Sequence, residues 1–185
     1  MSSLRDKIKM SKEEMTLFLE NQISLQIGTI NKDGSPHLTT MWYFYDGDNF
    51  IFHTYTKSQK IINLLRDPRI TLLTEAGSQY SDLQGIIVYG TAEIIGGKDN
   101  SEEVIRYMEA VGEKYSKGED SAQYIEGMKF QAPKRSAVIV KPSKFISWDH
   151  TKIWGHEKTS DISVNFLNLD ILLNLLSHQQ YFPQI

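Results

Sequence analysis

The chain has 185 residues, of which 40% are hydrophobic and 23% charged, and its formal net charge is −3. This length is typical of one domain, with or without a tail, and suffices to bury a core without metal or disulfide staples. The absence of cysteine excludes disulfide frameworks, Cys-based zinc sites, iron–sulfur clusters and thiol nucleophiles. The slightly acidic balance argues against a dedicated nucleic-acid-binding protein.

Neither a signal peptide nor a membrane span is predicted. The first residues, Met1–Lys7, lack the apolar core of a signal peptide. The most apolar stretch, residues 162–176, is interrupted by five polar side chains. It therefore falls short of the roughly 20 apolar residues that a span needs. We expect a cytoplasmic protein with neither a nucleic-acid nor a membrane partner.

The first part of the chain predicts one helix and then three strands. Ser11 and Glu14 have the spacing of a capping box, which predicts a short amphipathic helix over residues 11–21. Asp33-Gly34 is typical of a hairpin turn, because glycine readily adopts the positive φ that the turn requires. The alternation of apolar and polar residues predicts an antiparallel meander of three strands, over 23–29, 36–45 and 50–55.

The remaining elements complete a mainly β pattern. A helix is predicted over 58–66, where Asp67-Pro68 ends it, and another from about 100 to 115. Three further strands are predicted, over 69–75, 85–95 and 135–147. Six mostly antiparallel strands with inserted helices predict a small barrel or curled sheet, since closure removes exposed strand edges. We assign residues 1–155 to this domain and 156–185 to a C-terminal extension, a possible helix that docks on the barrel or on a partner.

The segment from His53 to Lys60 contains the strongest chemical signal. A strand ends there and a helix begins at Ser58, and helix N-termini bind phosphate readily. Lys60 lies near the second helical position, where a cation opposes the helix dipole at a cost of up to about 1 kcal/mol. A bound anion would reverse the sign of that term. A solvent-exposed lysine after an ordinary serine cap is the alternative that the residues leave open.

A series of motifs along residues 11–95 and 135–152 resembles one known family. They are Ile27-Gly28-Thr29-Ile30 with Asp33-Gly34-Ser35-Pro36, Trp42-Tyr43-Phe44, Thr54 through Lys60, Asn63 through Arg69, Val88 through Glu93, and Ile146-Ser147-Trp148-Asp149. In this order and spacing the chain resembles the pyridoxamine 5′-phosphate oxidase-like FMN-binding split barrels, including their deazaflavin-using relatives. The resemblance implies a homodimeric, six-stranded antiparallel split β-barrel with FMN in each of two clefts between subunits.

The resemblance also implies which residues bind the cofactor. Ser58, Gln59 and Lys60 would hold its phosphate, with Thr54 and Thr56 alongside, and His53 and Tyr55 belong to the same candidate set. The isoalloxazine and ribityl chain would lie over Thr39, Thr40, Met41 and Trp42, while Gln84 and Trp148 would reach the cofactor from the partner chain. The activity implied is hydride transfer to or from a small organic substrate. The flavin carries that chemistry, so no catalytic residue is assigned and no metal is expected.

Two departures from the family pattern bear on substrate and cofactor. Vitamin-processing members carry arginines on the second strand and near the C-terminus. This chain has Thr39 and Thr40 in the first place and only Lys152 near the second. These differences argue against pyridoxamine phosphate as substrate and leave both FMN and the deazaflavin coenzyme F420 open. A non-catalytic flavin-binding protein is a further alternative, as is a haem-binding split barrel with His150 or His156 as axial ligand.

Overall fold

The computed structural model describes residues 3–96, 100–115, 126–127 and 129–154. The predicted extension, residues 156–185, lies outside the described residues. The helices are α1 Leu4–Lys7, α2 Lys12–Asn21, α3 Gln59–Arg66, α4 Ser101–Tyr115 and α5 Thr151–Trp154. The strands are β1 Leu25–Ile30, β2 Pro36–Met41, β3 Phe44–Tyr45, β4 Phe50–Tyr55, β5 Arg69–Ala76, β6 Gln84–Gly96 and β7 Arg135–Asp149. No helix in these ranges is long and apolar enough to cross a membrane.

The seven strands form one antiparallel sheet whose two edges are close in sequence. The strand order is β2-β1-β5-β6-β7-β4-β3. The edge strands β2 and β3 are separated along the chain only by Trp42 and Tyr43. The sheet must therefore curl until its edges approach each other, which gives a split barrel. The predicted mainly β architecture with inserted helices is confirmed, but the strand count is seven and the prediction of six is wrong.

The additional strand arises because the predicted strand over 36–45 is broken at Trp42 and Tyr43. The Tyr43 side chain is fully buried, and its hydroxyl donates to the Leu19 carbonyl at 2.6 Å. The Tyr115 hydroxyl of α4 accepts from the Tyr43 amide at 3.0 Å and donates to the Tyr43 carbonyl at 3.1 Å. The Trp42 ring stacks on Tyr115 with centroids 4.5 Å apart. A distant side chain thus satisfies the backbone where the ladder stops.

Local signals that do not depend on distant partners are confirmed. Ser11 and Glu14 form the predicted capping box, with the Ser11 hydroxyl accepting from the Glu14 amide and the Glu14 carboxylate accepting from the Ser11 amide. Gly34 has a φ of +87° in the predicted hairpin turn. The main core fills the barrel with fully buried side chains from β1, β4, β5 and β6, including Ile27, Phe52, Leu72 and Ile86.

Lys114 ties the end of α4 to the end of α2. Its ammonium nitrogen donates to the Leu19 carbonyl at 2.9 Å and lies 3.6 Å from the centroid of the Tyr43 ring. Burial lowers the pKa of Lys114 from 10.5 to about 8. The protonated form of Lys114 is therefore less favourable in the folded state than in the unfolded state.

This burial predicts a pH dependence of stability. Between the folded and unfolded pKa values of Lys114 the unfolded state binds more protons, so stability rises with pH in that window. The penalty from Lys114 is full below pH 8 and is relieved as the pH increases towards 10.5. Urea unfolding should show the wild type gaining stability relative to Lys114→Met between pH 7 and pH 9.5. The control is Lys32→Met, which replaces an exposed lysine: the stability difference between the wild type and this variant should stay constant over the same pH range. A pH-independent difference between the wild type and Lys114→Met would contradict the expectation.

Candidate functional site

The split in the barrel lies between β2 and β4. The predicted cofactor-binding residues Thr39 to Trp42 lie at the end of β2, and His53 to Thr56 lie at the end of β4. β3 and β4 pair through only two residue pairs, Phe44 with Ile51 and Tyr45 with Phe50. If β2 continued this pairing along β4, Thr40 would lie opposite Tyr55. Instead β2 pairs with β1, so that Thr40 faces Gln26. Thr39 to Trp42 and His53 to Thr56 therefore lie on opposite sides of the split. The Thr39 hydroxyl is buried there without a hydrogen-bond partner among the described residues.

Three of the predicted phosphate ligands meet at the N-terminus of α3. Ser58 is the N-cap, but its hydroxyl accepts no hydrogen bond from the helix backbone. The Thr54 hydroxyl lies 3.5 Å from the Ser58 hydroxyl and accepts a hydrogen bond from the Lys60 ammonium at 3.3 Å. The first amides of α3 thus lack a side-chain acceptor, which is the arrangement that suits an anionic ligand.

The Lys60 ammonium is partly buried, and it donates to the neutral Thr54 hydroxyl. Among the residues that the structure describes, no carboxylate lies within 4.0 Å of it. Burial lowers the pKa of Lys60. An anion at the start of α3 would offset both the desolvation of this amine and its opposition to the helix dipole. The arrangement therefore fits the phosphate group that the resemblance implies.

Thr56 and Gln59 lie at the same turn, but their side chains have protein partners. The Thr56 hydroxyl is 3.0 Å from the Ser136 hydroxyl, and the Thr56 amide donates to the Lys134 carbonyl at 3.0 Å. The turn after β4 is therefore fastened to the start of β7. The Gln59 amide nitrogen donates to Asn63 Oδ1 at 2.9 Å, so this side chain is directed along the helix.

His53 and Tyr55 face away from Lys60. Successive strand residues point to opposite faces, so these two side chains lie on the face of β4 that Thr54 does not occupy. The His53 Nδ1 atom is buried without a partner among the described residues, and burial together with the charge of Arg135 lowers the pKa of His53 to about 4. The Arg135 guanidinium carbon lies 3.9 Å from the centroid of the Tyr55 ring. The structure therefore groups these residues around Arg135.

Gln84 and Trp148 lie at the other end of the sheet. Gln84 pairs with Asp149, whereas Ser136 at the start of β7 pairs with Thr54. Trp148 is twelve residues beyond Ser136 on the same strand. At about 3.3 Å per residue that is a path of roughly 40 Å along the strand. A single chain does not bring this pair to the phosphate site.

His150 belongs to an aromatic cluster at the same far end. Its Nδ1 atom lies 2.6 Å from the Tyr80 carbonyl oxygen, and its ring packs against Tyr80 and Trp154 with centroids 4.5 and 5.3 Å away. The residue is buried. His150 is therefore packed as part of this cluster. His156, the other predicted haem ligand, lies outside the described residues.

An apolar groove runs across the outer face of four strands, β2, β1, β5 and β6. Its volume is about 410 Å³. Leu38 and Tyr89 flank it and are 71% and 41% exposed. Exposed apolar surface of this kind is typical of a binding or subunit interface. The other lining residues are Gln26, Gly28, Thr39, Thr40, Thr71, Leu73 and Ile87.

Comparisons with known proteins agree with this fold and with the resemblance seen in the sequence. The chain is 34% identical to a conserved hypothetical protein from Mycobacterium tuberculosis, with a TM-score of 0.72 over 86% of this chain and 97% of that one. An F420 reductase (22% identity, TM-score 0.52, covering 69% of this chain and 91% of that chain) shares the fold. So does HutZ, the haem storage protein from Vibrio cholerae (15% identity, TM-score 0.57, covering 73% and 93%).

The comparison with curated proteins found no match. The family model described as pyridoxamine 5′-phosphate oxidase matches residues 11–149, which span the chain from the cap of α2 to the end of β7. The chain therefore belongs to the pyridoxamine 5′-phosphate oxidase family.

Proposed function

We propose that the protein is a flavin-dependent oxidoreductase that binds FMN and transfers a hydride to or from a small organic substrate. The observation that carries this proposal is the partly buried Lys60 ammonium at the N-terminus of α3. No described carboxylate lies within 4.0 Å of it, and the N-cap side chain, Ser58, does not bond to the helix backbone. Family membership supports a flavin-type cofactor over other phosphorylated ligands. When bound, the flavin supplies the hydride chemistry.

The residues of this chain would bind and orient that cofactor. The amides at the start of α3 and the Lys60 ammonium would hold its phosphate, with Thr54 fixing the position of the amine. Residues Thr39 to Trp42, on the opposite side of the split, would support the ring and the ribityl chain. The split is suited to this role because β2 and β3 are the edge strands of the sheet, and their outer backbone groups are free to face a ligand.

We propose that the functional unit is a homodimer. The apolar groove on the outer sheet face gives a second copy a surface to cover. The position of Gln84 and Trp148 adds a second argument, since they can reach a cofactor bound near Lys60 only if another chain supplies them. Each cofactor site would then combine residues of both subunits.

Coenzyme F420 is the alternative cofactor. β2 has Thr39 and Thr40 at the positions where vitamin-processing members of the family carry arginines. In addition, an F420 reductase shares the fold. A deazaflavin would use the same anion site at α3, so the residues assigned above keep their roles. A haem-binding or non-catalytic protein is the remaining alternative, since HutZ also shares the fold.

The absorption spectrum of the purified full-length protein tests this proposal. FMN or F420 bands are expected, whereas a Soret band would indicate haem. Bleaching by NAD(P)H or reduced deazaflavin, followed by reoxidation with turnover of a quinone or nitro compound, would establish an oxidoreductase. Stoichiometric flavin binding without turnover on any acceptor would indicate a carrier, and failure to bind FMN, riboflavin or F420 would refute a flavin site.

A further inference from the structure

Lys114 lines a small cavity between α2, β3 and α4. The cavity has a volume of about 220 Å³, and Glu20 and Glu113 are its acidic lining residues. The rest of the lining is apolar or aromatic and consists of Leu19, Phe44, Tyr45 and Ala110. None of the residues predicted to bind the cofactor lines this cavity, so it is separate from the site proposed above.

Neutral groups hold the half-buried Lys114 amine in place. Its nitrogen donates to the Leu19 carbonyl at 2.9 Å and lies 3.6 and 5.7 Å from the ring centroids of Tyr43 and Tyr115. Among the described residues, no carboxylate lies within 4.0 Å of this nitrogen. The Tyr43 ring attracts the cation, but the Leu19 carbonyl accepts only one of the three N–H groups of an ammonium. A neutral nitrogen with a single N–H would be fully satisfied at this position.

These surroundings also favour the nucleophilic form of the amine near neutral pH. Burial lowers the pKa of Lys114 to about 8, although the charge of Glu20 acts in the opposite direction. The two neighbouring phenols stay neutral there, since burial raises the pKa of Tyr43 and that of Tyr115. At pH 7.5 about one quarter of Lys114 is then the free amine, against about 0.1% of an ordinary lysine. Desolvation in an apolar pocket is one way in which proteins activate lysine as a nucleophile.

We propose that Lys114 is an acylation site, and that the cavity beside it accepts a short acyl group from an acyl thioester or an acyl phosphate. The free amine attacks the acyl carbonyl carbon and forms a C–N bond. The C–S or C–O bond of the donor breaks, and the thiolate or phosphate leaves with the bonding electrons. The proton that the nitrogen loses passes to the leaving group or to the solvent, and nothing is oxidised or reduced. The resulting amide keeps one N–H for the Leu19 carbonyl and no longer carries a buried charge.

Acetylation of the full-length wild type, followed by peptide mass spectrometry, tests this proposal. Acetyl phosphate and acetyl-coenzyme A are the two donors, each used at pH 7.5. We expect Lys114 to be acetylated about tenfold or more faster than the exposed Lys32 and Lys134, because far more of it is the free amine. Its rate should level off above about pH 8, whereas the rates of the exposed lysines should keep rising. Unfolding in urea should remove the difference, because the cavity and the burial are then lost.

The two donors identify the source of the acyl group. Preferential acetylation of Lys114 by both would support a site open to thioesters and acyl phosphates alike, and acetylation by one alone would support the site and assign its donor. Acetylation of Lys114 no faster than that of Lys32 and Lys134 with either donor would overturn the proposal. So would a preference for Lys114 that persists in urea, since the neighbouring sequence and not the folded cavity would then be its cause. No flavin is added in this experiment, so its result is independent of the proposed cofactor.

Discussion

Lys60→Gln is expected to weaken FMN binding by about 100-fold, because a hydrogen bond to a charged group contributes roughly 1.5–3 kcal/mol and each 1.4 kcal/mol is a factor of ten. Riboflavin affinity should stay close to that of the wild type, since riboflavin lacks the phosphate. The variant should remain folded, because the replacement removes a partly buried charge whose hydrogen-bond partner, among the described residues, is the neutral Thr54 hydroxyl. Quenching of flavin fluorescence measures both affinities.

Lys57→Gln is the matched control for Lys60→Gln. Lys57 lies in the same turn and carries the same charge, but its side chain is exposed. Exposed charges contribute little to a specific contact, so this variant should bind FMN nearly as the wild type does. Equal FMN affinity in Lys60→Gln and in the wild type would show that the phosphate is not held at this lysine.

Asn63→Leu is expected to destabilise the fold by roughly 2–4 kcal/mol, the range for breaking a buried hydrogen-bond network. Asn63 is fully buried on α3. Its Nδ2 atom donates to Thr29 Oγ1 at 3.1 Å and to Asn31 Oδ1 at 3.0 Å, while its Oδ1 accepts from Gln59. Leucine fills a similar volume but leaves these polar groups without their partner. The network is what fixes the first turn of α3 against the end of β1.

Urea unfolding measures this effect, and Leu65→Asn provides its control. Leu65 is on the same helix but is 72% exposed, so its replacement should change stability by less than about 0.5 kcal/mol. We also expect Asn63→Leu to weaken FMN binding, because the amides of α3 would no longer be held in place. An Asn63→Leu variant as stable as the wild type would mean that the network does not hold α3 on the barrel.

Elements whose signals are local could be predicted from the sequence. The capping box at Ser11, the turn at Gly34 and the helix that Asp67-Pro68 ends are each specified by a few adjacent residues. The grouping of Thr54, Ser58 and Lys60 at the start of α3 could be predicted for the same reason, because these residues lie within seven positions of one another. Sequence patterns perform well when the interacting groups are close along the chain.

The remaining features depend on contacts between distant segments. The break that creates a seventh strand requires Tyr115, which is 72 residues from Tyr43. Arg135 stacks on Tyr55 only because β7 pairs with β4, and no local motif encodes that two strands so far apart in sequence are neighbours. Proximity in sequence groups His53 with Lys60, whereas strand alternation turns the His53 ring to the other face of β4. The alternation itself was visible in the sequence and is the signal that could have separated them.

The most direct test of the central claim is a crystal structure of the full-length protein grown with saturating FMN. We predict electron density for the phosphate at the N-terminus of α3, within hydrogen-bond distance of the Lys60 ammonium and the Ser58 hydroxyl. We also predict that the isoalloxazine lies along β2 at the split of the barrel. A flavin bound elsewhere, or one whose phosphate extends into solvent while this helix N-terminus contacts no ligand, would contradict the account.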